Sequence, residues 1–348
     1  MRGPCATLCS DSIARARADR TAKSLNPRNR SIRKSTVDRS VSQSVRDRLL
    51  SRTRRTGEDH QVVLTRFALE RLLYRLGQLP EGDDFTLKGA FAFLVWEGKL
   101  GRQTRDLDLL GRGSPNADRL EDILVRACQV DVPEDGVAHE EETLEVASIR
   151  EENVYEGLRA ELISHVGSAR LPLQVDVGFG DAVVPPAEQR VFPGLLDFPE
   201  PELKTYPPET VVAEKVHGMV RFGQANTRMK DFYDIWRISQ TVRLEGEDLT
   251  EALRATFERR QTNFPEETPV ALTETFAGSD RKKRQWQAFA HQVEEEIELG
   301  ALIEELRAFL GPVLHVAREI PPEKSPRRKS PKEWSLGEWP AGGPWTGW

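Results

Sequence analysis

The sequence predicts an α+β fold, a mixed-sheet unit followed by a helical one. Two observations carry that prediction. Short alternating or β-branched runs cluster between residues 85 and 178, whereas apolar residues recur at spacings of three and four through the second half. Strands segregated from helices point to α+β rather than to a regularly alternating α/β sheet. No window approaches 18 uncharged apolar residues, so a membrane-spanning helix is excluded and a cytoplasmic location is expected.

The 348 residues allow two packed units with appendages. Residues 1–38 are rich in Arg, Ser, Asn and Pro without periodicity and read as a disordered basic arm. Asp11 and Asp19 weigh against a transit peptide. Nucleic-acid binding and a poorly folded extension are the other readings, and the extension is preferred because patterned sequence begins only at Val41. A core is expected over 39–200, a helical region over 201–312, and a Pro/Trp-rich tail over 313–348 that packs loosely or not at all.

Within the core, 41–55 reads as a basic helix, and Val63, Leu64, Phe67, Leu69, Leu72, Leu73 and Leu76 stripe a second helix over 61–77. Phe85–Leu87 is a short strand entering Lys88-Gly89-Ala90, and 90–98 a buried helix ended by Gly98. Residues 106–110 alternate as a strand before Gly111, and 117–129 form a helix capped by Asn116. An acidic loop is expected at 131–146, strands at 158–166 and 171–178, and a Pro-rich connector at 185–208. Helices are expected at 209–222, 231–241, 248–259, 282–298 and 300–310.

Charge is distributed unevenly. The first 57 residues hold 15 Lys/Arg against 4 Asp/Glu, and the remaining 291 hold 35 against 52. An acidic bulk argues against a large DNA-coating surface but permits a local basic site. Cys5, Cys9 and Cys128 make no disulfide framework and no zinc site. There is no G-x-x-x-x-G-K-[ST] loop and no nucleophile elbow, and His217, the only histidine near the charged motifs, is assigned no catalytic role.

The chemistry concentrates in a few places. Asp106 and Asp108 stand at i and i+2 of a strand, so both carboxylates share one face, about 7 Å apart at their α-carbons. Two such charges at about 4 Å repel by roughly 4 kcal/mol at an effective dielectric of 20. A divalent cation reverses that sign, and oxygen-only donors suit Mg²⁺ shared with substrate phosphates. Alone, such a pair is more often a solvated strand edge. Upstream, Gly89 at a strand-to-helix turn lets a triphosphate approach backbone N–H groups closely. Asp176 lies in an otherwise apolar strand, where a lone carboxylate is costly unless paired or metal-bound. Beside the Asp106 strand it would complete a cradle for two metals. Asp181 reads as a turn cap. Lys215, on a mostly apolar helix, offers a mobile point cation for phosphate. Asp231 resembles an N-cap with Asp234 three residues on, preceded by Arg228 and Lys230.

The stretches LKGAFAFLVW (87–96), RQTRDLDLLG (102–111), LQVDVGFGDAVVP (173–185), ETVVAEKVHGMV (209–220) and NTRMKDFYDIW (226–236) resemble the AbiEii/AbiGii nucleotidyltransferase toxin family of the DNA-polymerase-beta-like superfamily. The resemblance spans about residues 39–310 with motifs in the family's order. It implies a polymerase-beta-like mixed-sheet core with a helical C-terminal region. It implies that Lys88, Gly89 and Ala90 cradle triphosphate, that Asp106 and Asp108 bind metal, and that Asp176 fits the third carboxylate. Lys215 and Asp231 match the remaining catalytic pair, with Arg228 and Lys230 beside the nucleotide. Gly89-Ala90 stands where many relatives have Gly-Gly or Gly-Ser, which removes a serine hydroxyl but keeps the backbone N–H.

The resemblance further implies Mg²⁺-dependent transfer of a nucleoside monophosphate from an NTP to RNA, with the tRNA 3′ end as the expected acceptor. It implies a DNA-binding antitoxin encoded nearby, with no stable complex required. Two other classes remain open from the residues: a metal-dependent nuclease using the same carboxylates, and a non-catalytic binding module.

Overall fold

The computed structural model describes residues 39–151, 155–293, 295–319 and 337–346. The expected basic arm, 1–38, and the tail stretch 320–336 lie outside the described residues.

Two helices, α1 (Arg39–Thr56) and α2 (His60–Gly77), open the described chain. Asp59 caps α2 by accepting from the Val62 N–H at 2.9 Å, which satisfies a donor that the helix itself leaves unpaired. The apolar stripe of α2 is buried, as its spacing requires.

The strands are β1 (Phe85–Lys88), β2 (Asp106–Gly111), β3 (Val137–Glu151), β4 (Tyr155–Val166), β5 (Ala169–Phe179), β6 (Glu188–Val191) and β7 (Glu202–Thr205). They form one seven-stranded sheet in the order β3-β4-β5-β2-β1-β7-β6. β2 runs parallel to β5 and β1 parallel to β7, and the other neighbours are antiparallel, so the sheet is mixed. Between strands lie α3 (Ala92–Glu97) and α4 (Ala117–Gln129), the latter capped by Asn116. α2 packs on β4, β5 and β7, and α4 on β3.

Alternation then sorts the sheet's two faces. Leu107 and Leu109 of β2 and Leu173, Val175 and Val177 of β5 enter the core shared with α2. Asp106, Asp108, Gln174 and Asp176, at the even positions, project from the opposite face.

The helical half comprises α5 (Pro208–Phe222), α6 (Met229–Thr241), α7 (Gly246–Arg259), α8 (Glu274–Gly278), α9 (Asp280–Ala290) and α10 (Leu299–Glu319). Its core, built around Val212, Met219, Phe232, Ile235, Leu253 and Phe309, is a second cluster that includes Phe93 of α3.

Several expected elements differ. The acidic loop at 131–146 is a strand from Val137 onward. Its glutamates hide the alternation, because β3 is an edge strand and charge on an edge discourages further pairing. Asp135, just before it, is buried by Arg75 at 2.6 and 3.0 Å and Arg71 at 3.1 Å, which ties the strand's start to α2. The connector at 185–208 contains β6 and β7, too short to stand out among prolines. The helix expected over 282–298 ends at Ala290, since Glu295 leaves the helical path to meet Arg237 and the Tyr233 hydroxyl on α6. The helix expected at 90–98 is a 3₁₀ turn over Gly89–Phe91 leading into the six-residue α3.

The tail also departs from expectation. α10 continues to Glu319, and β9 (Glu338–Trp339) pairs with β8 (Leu244–Glu245). The Trp339 indole N–H donates to the Ser239 carbonyl at 2.7 Å, and its ring lies 4.8 Å from Phe309, with Trp345 on the same phenyl ring. Residues 337–346 are packed because two tryptophans bury large apolar surfaces while their N–H groups find acceptors.

Candidate active site

Asp106, Asp108 and Asp176 converge. Parallel pairing of β2 with β5 sets Asp108 opposite Asp176, and each of the three contributes a carboxylate oxygen lying within 4.8 Å of the others. No ligand set of this kind involving other residues occurs among the described residues. Burial drives the Asp108 carboxyl up to about 6, with Asp106 and Asp176 adding repulsion and Lys88 opposing it. Burial would also raise Asp106, but the Thr104 hydroxyl at 2.5 Å, Lys230 and Arg102 hold it below the ordinary carboxylate range. Three hard oxygen donors under mutual repulsion fit a divalent cation, which would relieve the strain on Asp108.

Gly89 adjoins this cluster. Its φ is +65°, and a β-carbon there would lie 2.0 Å from Asp108 Oδ2. Glycine is thus required twice, for the left-handed backbone and for the carboxylate packed on its α-carbon. Lys88 is only 8% exposed, and its amine reaches Asp181 Oδ2 at 3.2 Å. It stands as a buried counter-cation beside Asp108. Asp181 is no simple turn cap: Arg260 also donates to it at 3.1 Å, and Lys88 and Arg260 outweigh burial to keep its carboxyl ionised.

A second cluster forms between α5 and α6. The Lys215 amine lies 2.6 Å from Asp231 and 2.9 Å from Asp234. Burial disfavours its charge, but the two carboxylates win and raise its pKa. Arg102 grips both oxygens of Asp234 at 3.0 and 3.2 Å, and with Lys215 it depresses that carboxyl to about 2 against the effect of burial. The Arg228 guanidinium is 2.5 Å from Asp231. Asp231 therefore does not serve as an N-cap. α6 starts at Met229, and the side chain that accepts from the backbone before it is Asn226, from the Arg228 N–H at 2.8 Å.

The loop carrying Arg102 and Thr104 joins the clusters. It is fixed to α6, for the Tyr233 hydroxyl donates to the Gly101 carbonyl at 3.1 Å and a β-carbon at Gly101 would strike the Arg237 side chain. From there Arg102 binds Asp234 and acts electrostatically on Asp106, while exposed Lys230 acts on both Asp106 and Asp108. His217 meets Thr262 at 2.9 Å and packs edge-on to Phe257, and burial lowers it to about 4, a structural role.

Over residues 71–311 the sequence matches the family profile described as "Nucleotidyl transferase AbiEii toxin, Type IV TA system". The chain belongs to the AbiEii toxin family. It is accordingly a nucleotidyltransferase of the type IV toxin–antitoxin class, and the match contains every motif residue described above. No curated protein sequence matches it significantly. Two solved structures show a likeness to the chain. JHP933 from Helicobacter pylori is 14% identical with a TM-score of 0.43, covering 75% of this chain and 93% of its own. A provisionally assigned nucleotidyltransferase from H. pylori is 13% identical with a TM-score of 0.43, covering 78% of this chain and 100% of its own. As in any AbiEii toxin an antitoxin partner is implied, and among the described residues no helix is long and apolar enough to cross a membrane.

Sequence reasoning missed four side chains in this AbiEii site. Arg102 and Thr104 lie inside the motif RQTRDLDLLG, and their motif position was the available signal. Arg159 and Arg260 had none. Arg159 donates to both oxygens of Asp176 at 2.8 Å from β4, a pairing that only register reveals.

Proposed function

We propose that this AbiEii chain is a Mg²⁺-dependent enzyme that transfers a nucleoside monophosphate from an NTP to an RNA 3′ end, with tRNA the first acceptor to test. The observation that supports it is the convergence of Asp106, Asp108 and Asp176 beside Gly89. Asp106 and Asp108 would hold the metal, with Asp176 closing the cradle. When bound, Mg²⁺ neutralises charge on the phosphates of the NTP.

The chain's own residues do the rest. Gly89 lets the Asp108 carboxylate close on the backbone, and the N–H groups of Gly89 and Ala90 would meet the phosphate. Lys215, Arg228 and Lys230 bring positive charge to the triphosphate, and Asp231 orients Lys215. The acceptor hydroxyl gives its proton to Asp176 or a neighbouring carboxylate, its oxygen bonds to the α-phosphorus as the bond to the bridging oxygen breaks, and pyrophosphate leaves with its charge. Positioning and electrostatics carry most of the rate. The antitoxin we expect is a DNA-binding repressor from the neighbouring gene that needs no stable complex with the toxin.

The deciding experiment incubates the protein with each α-labelled NTP, Mg²⁺ and total RNA, followed by a gel. Label in RNA of tRNA length is the expected result. Shortened RNA without label would make it a nuclease, and absence of Mg²⁺-dependent NTP binding in calorimetry would make it a binding module.

A further inference from the structure

The strand registers place four charged residues on one rung. Lys88 of β1 pairs with Asp108 of β2, Asp108 with Asp176 of β5, and Asp176 with Arg159 of β4. The rung reads cation, anion, anion, cation. Its outer members are not equivalent. Lys88 is shared with Asp181, whereas the Arg159 guanidinium gives a two-point grip to Asp176 alone, Nε to Oδ1 and Nη2 to Oδ2, each at 2.8 Å. Gln174 adds a third donor to Asp176 Oδ2 at 3.0 Å.

We propose that Arg159 is a built-in cation that takes Asp176 as its counter-ion and thereby limits the site to one divalent metal ion, held chiefly by Asp106 and Asp108. The inference rests on the metal-site reading given under the proposed function. Its argument is occupancy and charge. A carboxylate offers about four lone-pair sites, and three of those on Asp176 already accept hydrogen bonds. The one lone pair left, on Oδ1, allows Asp176 a contact to a single ion and no bridge between two. Lys88 is balanced by Asp181, so the three carboxylates against the Arg159 guanidinium leave two negative charges, the charge that one divalent ion neutralises. Without Arg159 there would be three, and Asp176 would have free lone pairs. Two parallel N–H···O bonds also add energy and geometric specificity to the pair. Three convergent aspartates by themselves would suggest two metals; the arginine on the adjacent strand changes that number. Arg159 is thus a positioning residue.

The test counts metal. Free Mn²⁺ is titrated against the full-length protein without nucleotide and followed by electron paramagnetic resonance. Wild type is expected to bind one Mn²⁺ per chain, Arg159→Met two, and the Arg159→Met/Asp176→Asn double variant one again. Should the methionine variant not fold, Arg159→Gln, which keeps a hydrogen bond to Asp176 without the charge, is read in the same way. Two ions on wild type, or no gain in the charge-deleted variant, would overturn the proposal. Two ions on wild type would leave the metal-site reading standing, whereas no Mn²⁺ on any of these proteins would refute that reading together with this one.

Discussion

Replacing Gly89 by alanine tests the site most sharply. The added methyl group meets two penalties that can be separated. At φ +65° a non-glycine residue costs about 1–2 kcal/mol of stability. The methyl carbon would also lie 2.0 Å from Asp108 Oδ2 and 2.7 Å from its Cγ, so the carboxylate has to move by about 1 Å or more to restore ordinary contact. A displacement of that size at a reacting centre costs about 100-fold in rate. Gly98→Ala supplies the control, since φ is +73° there and nothing lies within 4 Å of the new carbon. Initial rates of label transfer and thermal melts would be taken on both. Both variants should melt a few degrees below wild type, and only Gly89→Ala should lose about 100-fold in transfer. Transfer by Gly89→Ala within about threefold of wild type, or an equal loss in Gly98→Ala, would refute the packing of Asp108 on Gly89 as a catalytic requirement.

Three further outcomes follow from the geometry. Asp106→Asn should abolish nucleotide transfer while leaving the melting temperature close to that of wild type, and retained transfer would remove Asp106 from the site. Asp108→Asn should stabilise the metal-free protein at neutral pH. The Asp108 pKa of about 6 against an ordinary 3.8 means that the folded state binds the proton more tightly, so this group's own contribution to stability is fully present below pH 4 and is lost as pH rises through 6, by about 3 kcal/mol in all. The variant should therefore melt above wild type without divalent ions, and Mg²⁺ should raise only wild type; identical melts in both conditions would contradict this. Trp339→Ala should cost about 3–5 kcal/mol, because the ring packs on Phe309 and its N–H is satisfied by Ser239, and denaturant melts would check it. An unchanged midpoint would mean that the tail contributes nothing to stability.

Whatever depends on local period was legible in the residues alone. Alternation in β2 put Asp106 and Asp108 on one face, the three-and-four spacing of α2 marked its buried stripe, and the order of motifs indicated the family and an α+β fold. Where period was masked the elements were illegible: glutamates concealed β3, and prolines flanked β6 and β7. The tertiary structure alone decided which charges meet. Arg159 reaches Asp176 across 17 residues, Lys88 reaches Asp181 across 93, and Lys215 is shared by Asp231 and Asp234 from the next helix. The same held for Trp339, which closes on Ser239 from 100 residues away. Periodicity fixes the face on which a side chain lies, because it follows from backbone geometry at each residue. Partnership depends on strand order and register, and a one-residue slip would turn Arg159 away from Asp176, so those contacts are set by how the whole sheet packs.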